Sequence, residues 1–316
     1  MMRYLVTGGA GFIGSNLANY LVKDHQVVVI DDLSMGKKSN LIDSPNLTFI
    51  EGSVTDQQLM EDTLTNYKFD YIFHLAAIAS VADSVARPVE THQVNFDSVL
   101  LLLELTRRTQ KKLKRLVFSS SAAVYGDEPT LPKKEESVIR PLTPYAIDKF
   151  AAESYVLAYS NLYDVPCSAV RFFNVYGPNQ NPKSPYSGVI SILVDRYKKL
   201  QAGQEANFTL FGDGSQSRDF VYIDDVIQAL LLVADKKTAL GRQFNVGTGK
   251  ALSLNQLIDV MNKSLGLKLP IDYQAKRSGD IRDSLADTQR LTTLGFKNNF
   301  TIADGIDRYF HFEGLK

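Results

Sequence analysis

The sequence predicts an α/β fold: a doubly wound parallel sheet followed by a smaller, mixed α/β domain. Three observations carry this. Short apolar runs at residues 4–7, 27–30, 47–51, 70–77, 113–120 and 167–172 have the length of buried strands and alternate with helical segments. Gly8, Gly11 and Gly14 stand three apart directly after the first run, and an apolar-periodic segment (Phe12, Ile13, Leu17, Leu21) follows. Past Phe173 the texture changes to a stretch, 174–188, rich in Asn, Pro, Gly and Ser, which reads as a loop region or a boundary. The expected division is therefore 1–173 and 174–316, with part of 220–246 returning to the first domain.

Each element has a local reason. Asp56 suits the cap of a helix running to Asn66. Residues 90–110 read as one long helix whose centre, 99–103, is apolar on every side, so more than one face needs cover. A homodimer through the helices around 90–110 and 145–163 supplies that cover. Thr143-Pro144 opens a helix to about residue 163, with threonine at the cap and proline at the first helical position. In the second half, helices are expected at 189–201, 224–234 and 254–265, and short strands at 208–211, 220–223 and 244–246. The last of these helices opens on a capping box, Ser253 with Gln256, and closes at Gly266.

Composition narrows the class of function. The chain has 316 residues, and its 35 basic and 35 acidic side chains balance. That balance disfavours nucleic acid or a membrane surface as the main partner. The single cysteine, Cys167, excludes an internal disulfide framework and suits a reducing cytoplasm. No run of 18 apolar residues is present and the chain enters a strand at once, so neither a membrane span nor a signal peptide is expected. No set of residues reads as metal ligands.

The glycine-rich turn is chemically specific. Strand, glycine turn, helix and second strand form a βαβ unit of the Rossmann type, whose helix N-terminus receives a dinucleotide pyrophosphate. Asp31 follows Gly8 by 23 positions and ends the second strand. A carboxylate there accepts from the adenosine 2′-hydroxyl and repels a 2′-phosphate, so NAD is the expected cofactor. Downstream, Tyr145 and Lys149 are four apart and share one helix face. A lysine ammonium and a nicotinamide cation nearby favour the phenolate, which can then take a proton from a sugar or alcohol hydroxyl. Ser121, at the end of the fifth strand, can hydrogen-bond the same oxygen. His74 lies inside the fourth strand and reads as a core histidine.

Along its whole length the chain resembles the extended short-chain dehydrogenase/reductases, specifically the nucleotide-sugar 4-epimerases acting on UDP-hexoses. The landmarks are TGGAGFIG (7–14), HLAA (74–77), VFSSSAAVYG (117–126), PYAIDK (144–149), RFFNVYGP (171–178), GDGSQSRDF (212–220) and RSGDIRDSLAD (277–287). The resemblance implies that Ser121, Tyr145 and Lys149 are catalytic. It implies that Gly8, Gly11, Phe12, Ile13, Gly14, Asp31, Ser53, Val54, Leu75, Ala76, Ala77, Tyr145, Lys149 and Phe172 hold NAD. Many relatives carry an acid where Ser53 stands. On the substrate side, Ser121, Tyr145 and Asn174 would meet the sugar, Gly188 and Val189 would line the uridine pocket, and Phe211 would stack on uracil. Arg218 and Arg277 would clamp the diphosphate, and Asp280 would meet the uridine ribose. The register of the last motif makes Ser284 the gate beside the hexose. A serine there leaves room for a 2-acetamido group, so UDP-N-acetylglucosamine and its 4-epimer are expected substrates, with UDP-glucose and UDP-galactose alongside. The alternatives are a sugar 4,6-dehydratase or uronate decarboxylase, and a non-catalytic NAD-binding regulator. The first two carry an acidic residue just after the serine, where this chain has Ala122 and Ala123. The regulator would be expected to lose Ser, Tyr or Lys, and all three are here.

Overall fold

A computed structural model describes residues 1–182, 188–276 and 281–316. The chain opens with β1 (Arg3–Thr7), α1 (Phe12–Leu21), β2 (Gln26–Asp31), β3 (Leu47–Glu51), α2 (Gln57–Asn66) and β4 (Tyr71–His74). Then come α3 (Val81–Ala86), α4 (Pro88–His92), a π-helical turn (Gln93–Asp97), α5 (Ser98–Thr109), β5 (Arg115–Ser121), α6 (Pro144–Leu162) and β6 (Cys167–Phe172). The second half runs β7 (Asn174–Tyr176), α7 (Val189–Gln201), β8 (Phe208–Phe211), β9 (Ser217–Tyr222), α8 (Ile223–Asp235) and β10 (Gln243–Val246). It closes with β11 (Ala251–Ser253), α9 (Leu254–Leu265), β12 (Ile271–Gln274), α10 (Gln289–Thr292) and α11 (Ile302–Phe312).

Seven strands form one parallel sheet in the order β10-β6-β5-β4-β1-β2-β3. The strand order reverses between β1 and β4, and in such sheets ligands bind beyond the carboxyl ends of the strands at that point. One apolar core lies on the α1 and α8 face, around Val6, Val117, Leu230 and Phe244. The other lies on the α5 and α6 face, around Leu5, Ile72, Phe118 and Val156. β10, from the second half, pairs with β6 through Phe244↔Val170 and Val246↔Phe172. Beside this sheet stand β11-β9-β7 and the parallel pair β12-β8.

Local chemistry explains the ends. Asp56 caps α2 by accepting from Leu59 N at 3.1 Å, Thr143 caps α6 through Ala146 N at 3.3 Å, and the Ser253–Gln256 box is formed on α9. Three expectations need correcting. The fourth strand ends at His74 rather than Ala77, because Leu75–Ala77 must leave the sheet to pass over Gly8. The long helix of 90–110 is interrupted by the π turn, where Asn95 donates its side-chain N–H to Ile78 O and accepts from Ile78 N. Residues 174–176 are a strand, not loop, since β7 pairs with β9.

Candidate active site

The glycine turn is a cradle closed by backbone. Gly8 has φ +67°, and a Cβ there would lie 2.7 Å from Ala76 N; a Cβ on Gly14 would meet Gly8 O at 2.1 Å. Both positions therefore exclude any side chain. Gly11 is the N-cap of α1 and offers no side-chain cap, which leaves the first-turn N–H groups to an anion. Asp31 is almost fully buried at the end of β2. Its carboxylate accepts from Ala10 N and Leu33 N, both at 2.9 Å, and so ties the glycine turn to the loop after β2. Burial pushes this carboxyl above its usual range, against the pull of those N–H groups. The residues fit the dinucleotide implied by the sequence: a cradle without side chains, an uncapped helix start, and a buried acid at the end of the adjacent strand. Val54 is buried beyond β3, while the Ser53 hydroxyl meets that of Thr55 at 2.9 Å.

Across the switch point stand the residues expected to do acid–base chemistry. Ser121 ends β5 and lies opposite Phe172 of β6. Its hydroxyl caps the next turn by accepting from Ala123 N at 3.2 Å, and it stands near enough to the Tyr145 phenol to favour the phenolate. Tyr145 begins α6 with its ring partly exposed. One turn on, Lys149 is buried, donates to Ser119 O at 2.8 Å and lies 4.9 Å over the Phe118 ring. Burial pushes Lys149 down to about 7, with the charge of Asp148 opposing. Sequence reasoning placed the Tyr145 phenol below its ordinary value. In the chain itself desolvation wins and raises it, with nearby Ser121 pulling the other way. His74 is a core residue: it is fully buried, bonded to the Thr7 hydroxyl at 2.9 Å, and pushed down to about 3 by burial and by Lys149.

The substrate-side residues fall into two groups. Asn174, Gly188 and Val189 line one small pocket with Phe220. Arg218 on β9 donates to the carbonyls of Ser217 at 2.8 Å, Ile281 at 2.8 Å and Arg282 at 2.9 Å. Beside it Ser284 N bonds Ser217 O at 3.1 Å, so Ser284 and Arg218 share one seam. Phe211 ends β8, partly exposed. Arg277 and Asp280 lie outside the described residues.

Sequence reasoning missed what fixes this seam. Asp219, fully buried next to Arg218, accepts from Thr248 N at 2.7 Å, Gly249 N at 2.9 Å and Ala286 N at 3.1 Å. On the other side Lys133 N bonds Leu285 O at 2.8 Å, and Asp287 N bonds Lys133 O at 2.7 Å. Arg171 then joins the sheet to this loop. It makes a bidentate pair with Glu153 of α6 at 2.5 and 2.9 Å and donates to the Tyr125 hydroxyl at 2.8 Å and to Glu135 O at 3.1 Å. Tyr125 in turn donates to Asn245 Oδ1 at 2.6 Å. The signal for Asp219 was an acid in a strand, at the register of a buried face.

Comparison with known proteins agrees with this geometry. Residues 4–247 match the NAD dependent epimerase/dehydratase family. The UDP-glucose 4-epimerase of Mycolicibacterium smegmatis is 38% identical over 316 residues, covering 98% of each chain. The structure of a UDP-N-acetylglucosamine 4-epimerase from Methanobrevibacter ruminantium M1, in complex with UDP-N-acetylmuramic acid, superposes with a TM-score of 0.92. It is 36% identical and covers 99% of this chain and 98% of that one. The UDP-glucose 4-epimerase of Thermotoga maritima, solved with UDP-glucose, gives a TM-score of 0.91 at 35% identity over the full length of both chains. With a family match over residues 4–247 and relatives of this identity and coverage, the chain belongs to the NAD-dependent epimerase/dehydratase family.

Proposed function

We propose that this protein interconverts the C4 epimers of a UDP-hexose through a 4-keto intermediate, accepting UDP-N-acetylglucosamine and also UDP-glucose. The observation that carries the reading is Tyr145 on α6 one helical turn from buried Lys149, which donates to Ser119 O, with Ser121 at the end of β5 and Ala122 and Ala123 behind it. Tyr145 takes the 4-hydroxyl proton and later gives it back, while Ser121 holds the same oxygen. Lys149, in its ammonium form, favours the phenolate from the next turn of α6. Gly8, Gly11, Gly14 and Asp31 would hold NAD; when bound, it accepts hydride from C4, returns it to either face, and adds its positive ring to the charges favouring the phenolate. Arg218 and Arg277 retain the diphosphate while the ketone turns over. Asn174, Gly188, Val189, Phe211 and Asp280 hold the rest of the nucleotide sugar. No side chain at 122 or 123 can donate a proton, which disfavours dehydration. Ser284 is small enough to leave room for an acetamido group, which supports the acetylated substrate. Tyr145→Phe tests the reading: turnover should fall at least ~100-fold with NAD still bound. Near-normal turnover would overturn it.

Two further elements belong to the same reading. The protein works as a homodimer through the helices around 90–110 and 145–163, supported by Ile147, Tyr155 and Leu162, which leave 51%, 43% and 71% of their area exposed on one side of α6. Its place is the cytoplasm, supported by a buried free thiol at Cys167.

A further inference from the structure

Next to Lys149 the acid–base helix carries a buried carboxylate that the mechanism above does not use. Asp148 lies on α6 between Tyr145 and Lys149 in sequence, and its side chain is 7% exposed. One carboxylate oxygen, Oδ1, meets His92 Nδ1 at 2.7 Å across the α4–α6 contact. The other, Oδ2, has no hydrogen-bond partner among the described residues. A buried carboxylate with a single neutral-capable donor is costly to keep unless its charge serves a neighbour. The neighbour is Lys149, itself buried and donating to Ser119 O.

We propose that Asp148, clamped by His92, is a positioning residue for the reaction: its charge keeps the Lys149 ammonium protonated inside the protein and so keeps Tyr145 competent as a base. The inference rests on Tyr145 and Lys149 acting as proposed above. The other groups facing this cluster leave Asp148 as the supporting charge. His74, on β4, faces Lys149 but is buried and held neutral. Asp97 lies 3.8 Å from His92 Nε2 on the solvent side, and His92 stacks on Phe96, which Tyr155 meets edge-on. On α3, Asp83 is engaged by Arg87 at 3.7 Å, and Arg87 also pairs with Glu90 at 2.8 Å. The sign follows from the opposed effects on Lys149: burial favours the neutral amine, and Asp148 favours the ammonium. Removing the carboxylate charge lets Lys149 lose its proton at lower pH, so the alkaline limb of kcat moves down.

The test is the pH profile of kcat for the holoenzyme and four variants. Asp148→Asn keeps the shape and removes the charge. His92→Lys sets a permanent cation against Asp148 from a half-exposed position, and His92→Gln offers a neutral donor instead. Tyr145→Phe reports on the underlying function. Asp148→Asn should lower the alkaline limb by about half a unit to one unit. That makes kcat roughly three- to tenfold lower on the alkaline side, with KM and bound NAD unchanged. His92→Lys should move the limb the same way relative to His92→Gln, which decides the matter even if Asp148→Asn does not fold. Limbs that superimpose in both comparisons, or a loss confined to KM or to NAD content, overturn the proposal. If Tyr145→Phe remains active, it is the function that fails; if Tyr145→Phe is inactive and the limbs still superimpose, only this inference fails.

Discussion

Arg171→Met should be among the most damaging substitutions outside the reacting groups. Arg171 and Glu153 leave only 2% of their side chains exposed each. Burial by itself would push the guanidinium down, yet the Glu153 hydrogen bonds and charge lift it above its ordinary value, so Arg171 keeps its charge. Truncating Arg171 leaves the Glu153 carboxylate buried without its two N–H donors and removes a donor from Tyr125. Breaking a buried pair in this one-sided way costs about 3–5 kcal/mol. For a chain of 316 residues the unfolding entropy corresponds to about 1.5 °C per kcal/mol, giving a fall in Tm of about 5–8 °C. Differential scanning calorimetry of the holoprotein measures it. Replacing both partners by apolar residues, Arg171→Met with Glu153→Met, should cost less than Arg171→Met alone, since no buried charge is stranded. A Tm for Arg171→Met within about 1 °C of the parent, the scale of a solvated surface pair, would show that the pair is not a closed buried contact.

Three other outcomes are expected. Gly14→Ala should fold yet lose bound NAD, read from the absorbance of released cofactor, because its Cβ would meet Gly8 O at 2.1 Å. Ser284→Tyr should abolish conversion of UDP-N-acetylglucosamine while sparing UDP-glucose, since a phenol ring fills the space an acetamido group needs; equal loss on both sugars would argue against a gate at Ser284. The parent should sediment as the proposed homodimer and Tyr155→Glu as a monomer, because the substitution sets a charge into the apolar stripe of α6.

How legible the molecule was in its sequence depends on how local the signals were. The Asp56, Thr143 and Ser253 caps lie within a few residues of what they bind, and Asp31 sits at the expected spacing from the glycine turn, so spacing alone revealed them. The Tyr145–Lys149 pair was equally local, but its electrostatics were not. Whether burial or a neighbouring charge dominates at Tyr145 depends on what packs around α6, and desolvation won. The supports of the site joined residues far apart in sequence: Asp219 with Ala286, Arg171 with Glu135, His92 with Asp148. No periodicity announces such pairs. The helix α11 was missed although Thr301 and Asp304 form a capping box on it, because the apolar positions Ile302, Ile306, Tyr309 and Phe310 were not read as a helical stripe.

The most direct measurement is an equilibrium incubation of the purified protein, without added cofactor, with UDP-N-acetylglucosamine and with UDP-glucose in separate reactions, the 4-epimers being resolved by chromatography. Conversion of both sugars is predicted, from NAD carried in the cradle and regenerated in each turnover. Absence of any 4-epimer from either sugar, with NAD shown to be bound, would contradict the proposed reaction.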